Sequence, residues 1–73
     1  MGHAELQRDL DRAYAHLARV EAEAGRAQRE MEVAEARGET EVAKVHKKDL
    51  DYQLVRQQTA LSDISDIREA MQR

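Results

Sequence analysis

The stretch "EVAEARGETEVAKV", Glu32 to Val45, decides the fold. A chain that turns back at Gly38 is a helical hairpin, and one that runs through is a single long helix. Gly38 suits a helix C-cap because glycine enters the left-handed region without a Cβ penalty, and Arg37 just before it favours the negative helix end. Thr40 can then cap a second helix whose first turn holds Glu41. These residues predict a turn over 37–40. It joins helix 1, about residues 4–37, to helix 2, about 41–72, in one domain spanning residues 1–73. An isolated glycine costs a helix only about 1 kcal/mol, so a continuous rod stays open at this point.

Composition agrees with helices of either kind. The chain has 73 residues, 37% of them charged, with no Phe, Trp, Pro or Cys. Ala, Glu, Gln, Arg and Leu dominate, and these residues lose little rotamer freedom in a helix. So small a chain has neither a large core nor a disulfide to stabilise it, and packing against another chain is the expected source of stability. The formal net charge is −3, with both signs intermixed. That argues against a nucleic-acid binder, which needs clustered positive charge. No apolar run approaches the roughly 20 residues that span a bilayer, so no membrane insertion is expected. No signal-peptide pattern opens the chain, and Leu6 stands where a myristoylation motif wants Ser or Thr.

The apolar pattern supports two helices. Leu6, Leu10, Ala13, Leu17, Val20, Ala24, Ala27, Met31 and Ala34 alternate steps of four and three, the spacing of a coiled-coil seam. After Gly38 a second seam follows in a new phase through Leu50, Leu54, Gln57, Leu61, Ile64, Ile67 and Met71. Folding back at the turn pairs positions whose numbers sum to about 77, within the range of short helix connections. Leu6 then lies near Met71, Leu10 near Ile67, Ala13 near Ile64, Leu17 near Ala60 and Leu61, Ala24 near Leu54, and Ala27 near Leu50. Small residues meet large ones, as close packing requires. Val20 meets Gln57, the single polar interruption. Two straight helices running antiparallel would make the same pairs between chains. The fold expected is all-α, an antiparallel two-helix hairpin resembling a coiled coil, which pairs into a bundle with itself or with a partner.

Helix 2 carries more apolar surface than one neighbour covers. Val45, Tyr52, Val55 and Thr59 form a ridge beside the seam, so that the apolar arc covers roughly half the helix. This ridge is the expected partner-binding surface. On helix 1, Ala15, Ala18, Ala22 and Gly25 form a ridge of small residues, with Tyr14 near it. A plain helix-forming surface accounts for these residues equally well.

Reactive chemistry is not expected. His3, His16 and His46 lie far apart, and the Glu-x-x-His pairs of a di-metal bundle do not occur. There is no phosphate loop and no nucleophile elbow, and Asp63, Asp66 and Glu69 read as a solvated face. The reading is therefore non-enzymatic, with no cofactor, no metal and no small-molecule substrate. Arg26, Arg29, Arg37, Lys44, Lys47 and Lys48 gather toward the turn, but Glu30, Glu32, Glu35, Glu39 and Glu41 share that region and cancel their field, leaving no nucleic-acid role.

In its length, acidity, lack of cysteine, hairpin pattern and "ARGET" turn, the whole chain resembles the small helical-hairpin co-chaperones of bacterial type III secretion. The resemblance implies a cytoplasmic protein that binds a larger helical-repeat chaperone and helps keep the needle subunit soluble. The Ala-rich first seam is not part of what carries the resemblance. The alternative expectation is a structural, self-assembling coiled coil, either a four-helix-bundle dimer of hairpins or an antiparallel pair of rods.

Overall fold

In a computed structural model that describes residues 2–73, the chain forms two α-helices, α1 (His3–Ala36) and α2 (Thr40–Met71). They lie side by side along their whole length, within 54 × 14 × 12 Å. A single helix of this chain would be about 110 Å long at 1.5 Å per residue. The pairing is therefore within one chain, and the fold is an all-α helical hairpin.

The turn is built by backbone hydrogen bonds. Arg37 closes α1 in the right-handed region, and Gly38 follows with φ of 72°. The Glu39 N–H donates to the Ala34 carbonyl at 2.9 Å and the Gly38 N–H to the Glu35 carbonyl at 3.0 Å. Together they make the Schellman pair that satisfies the last carbonyls of a helix. The chain re-enters a helix at once, because the Glu39 carbonyl accepts the Ala43 N–H at 2.9 Å. Glu39 is thus the N-cap of α2, and Thr40 is its first residue instead of the predicted cap. No side chain caps this end. Threonine is displaced from the capping role because the Schellman motif needs only Gly38 and Glu39 beyond Arg37, which leaves a connection one residue shorter than the sequence implies.

The seam of α1 is as the periodicity predicts. Leu17, Val20, Ala24, Ala27 and Ala34 are buried, while Leu6, Leu10, Ala13 and Met31 are half-buried. Leu17 clusters with Ala60 and Ile64, and Leu10 and Ala13 pack against them, in keeping with the fold-back register. The seam of α2 differs from expectation in its middle. Ala43, Gln53, Ala60 and Ile64 are buried, and His46, Leu50, Gln57, Ile67 and Met71 are half-buried. Leu54 and Leu61, predicted to lie in the seam, are 44% and 43% exposed. The buried polar residue is Gln53, not Gln57.

The physical reason is phase. Positions 43, 46, 50, 53, 57, 60, 64, 67 and 71 alternate steps of three and four without a fault, so the stripe faces α1 along the whole helix. A seam through Leu54 and Leu61 would take two steps of three in succession at Ile64 and Ile67, and so drift off the interface. Keeping one phase matters more to two long helices than burying two leucines.

Gly38 has open space where a Cβ would be added, so the cost of a side chain there is backbone strain alone. Gly38→Ala is expected to destabilise the hairpin by about 1–2 kcal/mol, and Gly38→Asn by less, because Asn tolerates the left-handed region. Thermal or urea melts followed by circular dichroism measure both. Equal stability of wild type and the Ala variant would refute the assignment of the turn.

Candidate functional site

Positions seven apart on either helix share a line along it, because the buried stripe keeps heptad spacing. On α2 one such line holds Val45, Tyr52 and Thr59, with Val55 one turn before Thr59. Val45 is 66% exposed, Tyr52 62% and Val55 66%. The Thr59 hydroxyl donates to the Val55 carbonyl at 3.2 Å, so its polar group is satisfied within the helix. The four residues form one outward ridge, as the sequence placed them.

The ridge is tied to the body of the hairpin by Arg56. Its guanidinium stands 5.7 Å from the centre of the Tyr52 ring, in cation–π range. One guanidinium nitrogen, Nη1, also donates to Glu23 of α1 at 3.0 Å and to the side-chain carbonyl of Gln53 at 2.8 Å. The Gln53 amide in turn donates to Asp49 at 3.2 Å. A chain of polar contacts therefore runs from Asp49 through the buried Gln53 to Arg56 and across to Glu23. It satisfies Gln53, the buried polar side chain of the stripe, and it fixes which side of α2 lies beside Glu23. Both ends of the Arg56–Glu23 pair are more than a third solvated or nearly so, which limits its contribution to about 1 kcal/mol or less.

Near the turn the same side of the hairpin opens into a groove of about 290 Å³, lined by Val33, Ala34, Val42 and His46 and rimmed by Arg29, Arg37, Glu30 and Glu39. His46 Nδ1 lies 3.2 Å from Glu30 of α1. Val33 and Val42 are 49% and 43% exposed, and Val42 precedes Val45 by one turn, so the groove continues into the ridge. Sequence reading missed this extension. Its signal was present as the two valines placed on either side of Gly38 in the quoted stretch.

Of the small residues on α1, Ala15, Ala18 and Ala22 are exposed and Gly25 is half-buried. Among the described residues, no group of three or more His, Asp or Glu side chains could hold a metal ion, and no helix is long and apolar enough to cross a membrane. His3 begins α1, His16 is half-buried midway, and His46 is engaged by Glu30, so the three are not brought together. No protein-family model, curated protein or solved structure matches the chain.

Gln53 gives this region a direct test. It occupies a buried position opposite the small Ala24, and Arg56 keeps Glu23 if the amide is removed. Gln53→Leu should therefore raise the hairpin's stability, by about 1 kcal/mol, because an apolar side chain then fills a buried seam position. A denaturant melt reads the change, and a fall in stability would show that the polar chain contributes more than apolar packing at that site.

Proposed function

We propose that the protein is a non-enzymatic interaction module, a small cytoplasmic chaperone or adaptor that docks on another helical protein through Val45, Tyr52, Val55 and Thr59. One observation carries this reading. Among the described residues, only Leu17, Val20 and Ile64 are buried apolar side chains larger than alanine, whereas eight large apolar side chains are exposed. A hairpin with so thin a core and so much uncovered apolar surface is the shape of one layer of a larger assembly.

The ridge fits a helix laid against it, with apolar anchors one and two turns apart. Covering Val45, Tyr52 and Val55 would contribute about 1–2 kcal/mol each before the entropy of association is subtracted. Arg19 and Arg26 flank Glu23 on α1, within about 60° at 100° per residue, so they border the same side of the hairpin. A partner helix with an apolar stripe edged by carboxylates is the complementary surface. The resemblance to type III secretion co-chaperones extends this reading. The partner is then a helical-repeat chaperone, and the pair holds the needle subunit soluble.

Co-expression with the helical-repeat chaperone and needle subunit of the same cell tests the proposal. The wild-type chain is expected to co-purify in a stoichiometric complex. Tyr52→Glu combined with Val55→Glu should reduce that binding at least about tenfold, while circular dichroism shows the helices intact. Unchanged binding by the double variant would reject the ridge. Failure of the wild-type chain to bind either protein would reject the secretion role.

A further inference from the structure

The flank away from the Glu23–Arg56 bridge carries a separate surface. Tyr14 precedes Glu23 by nine residues, about half a circle around α1 at 100° per residue, and Leu54 and Leu61 stand about 140–160° from Arg56 on α2. Tyr14 is 44% exposed, as is Leu54, and Leu61 is 43% exposed. In the hairpin register Tyr14 stands nearly level with Leu61. This apolar patch belongs neither to the seam nor to the ridge of Val45 and Tyr52.

Charge on this flank is sorted by helix. On α1, Tyr14, Glu21 and Glu35 share one line, with Asp11, Ala18, Gly25 and Glu32 on the next. Those two lines hold four carboxylates and neither Lys nor Arg. On α2, Lys47, Leu54, Leu61 and Arg68 share one line, with Lys44, Asp51, Gln58 and Ser65 on the next. There three cations stand against one carboxylate. Among the described residues, the one ion pair any of these groups makes is Lys44 with Glu41, at 3.3 Å within α2.

We propose that this flank is the interface of a homodimer in which two hairpins lie face to face with their turns at the same end. A two-fold axis parallel to the helices sets α1 of each copy on α2 of the other. An axis across the helices would set α1 on α1, acid against acid. The first arrangement is the charge-complementary one. Near the turns, Glu32 and Glu35 meet Lys44 and Lys47 of the second copy. Near the open ends, Asp11 meets Arg68 of the second copy. Tyr14, Leu54 and Leu61 fill the space between, where Ala18 and Gly25 make room for leucine. The product is a four-helix bundle with every neighbouring pair antiparallel, which supplies the apolar core that two helices lack. The ridge of Val45, Tyr52 and Val55 stays outside this interface, so the dimer does not rest on the chaperone reading.

Mass measurement by sedimentation at about 100 µM tests the proposal, a concentration that populates dimers of micromolar affinity. The wild-type chain is expected at twice its 8.4 kDa mass. Leu54→Glu with Leu61→Glu should give the single-chain mass with helicity retained, and Tyr52→Glu with Val55→Glu should stay dimeric. Lys44→Glu with Lys47→Glu should weaken the dimer about tenfold or more, and adding Glu32→Lys with Glu35→Lys should restore it. That rescue decides the matter if the leucine variant fails to fold. Spin labels on an Arg37→Cys variant read the orientation. They lie close together if the turns share an end, and are separated by about the 54 Å length of the hairpin if they do not. A monomeric wild type, a dimer that survives the leucine substitutions, charge swaps without rescue, or widely separated labels would overturn it.

Discussion

Gly38 holds a positive φ of 72°, and the rest of the hairpin depends on that one backbone conformation. It lets the Glu39 and Gly38 N–H groups satisfy the last carbonyls of α1 while the chain reverses, with no side chain taking part. Because the reversal is so short, it also sets the register. Leu17 arrives at Ala60 and Ile64, Glu23 at Arg56, and Glu30 at His46. A longer or looser connection would let the two alanine-rich stripes slide past one another. Repeated small residues alone distinguish poorly between neighbouring registers.

The seam that results is thin. Alanine occupies Ala24, Ala27, Ala34, Ala43 and Ala60, which brings the helices together but removes little apolar area from water. The chain of contacts from Asp49 through Gln53 and Arg56 to Glu23 specifies alignment more than it adds stability, since its charged members remain partly solvated. Eight of the larger apolar side chains lie outside. That distribution is costly for an isolated domain and natural for a protein whose fold is completed by association.

The exposed apolar residues fall on two sides of the hairpin, and the two sides have different characters. On the Arg56 side, the ridge of Val45, Tyr52 and Val55 lies beside arginines of α1, a combination suited to a partner helix carrying carboxylates. On the other side, Tyr14, Leu54 and Leu61 are framed by an acidic α1 and a basic α2, a combination that complements itself under two-fold symmetry. Separate surfaces allow a bundle of two hairpins to present a ridge on each outer face.

Much of this was legible in the sequence. The helices, the reversal at Gly38, the whole α1 seam and the exposed ridge of Val45, Tyr52, Val55 and Thr59 follow from local propensity, from heptad spacing and from glycine's access to positive φ. The middle of α2 was not legible. Hydrophobicity favours Leu54 and Leu61 for the interface, and only pairing with α1 shows that Gln53 and Ala60 hold the phase that stays in register. Thr40 likewise looked like a cap until the Schellman bonds gave that place to Glu39. The sequence by itself determined that two amphipathic helices form and where they separate, because those are short-range properties of the chain. The tertiary structure alone decided which flank of α2 turns inward, because that choice depends on matching a whole helix against its neighbour, and it is what leaves two leucines on the surface.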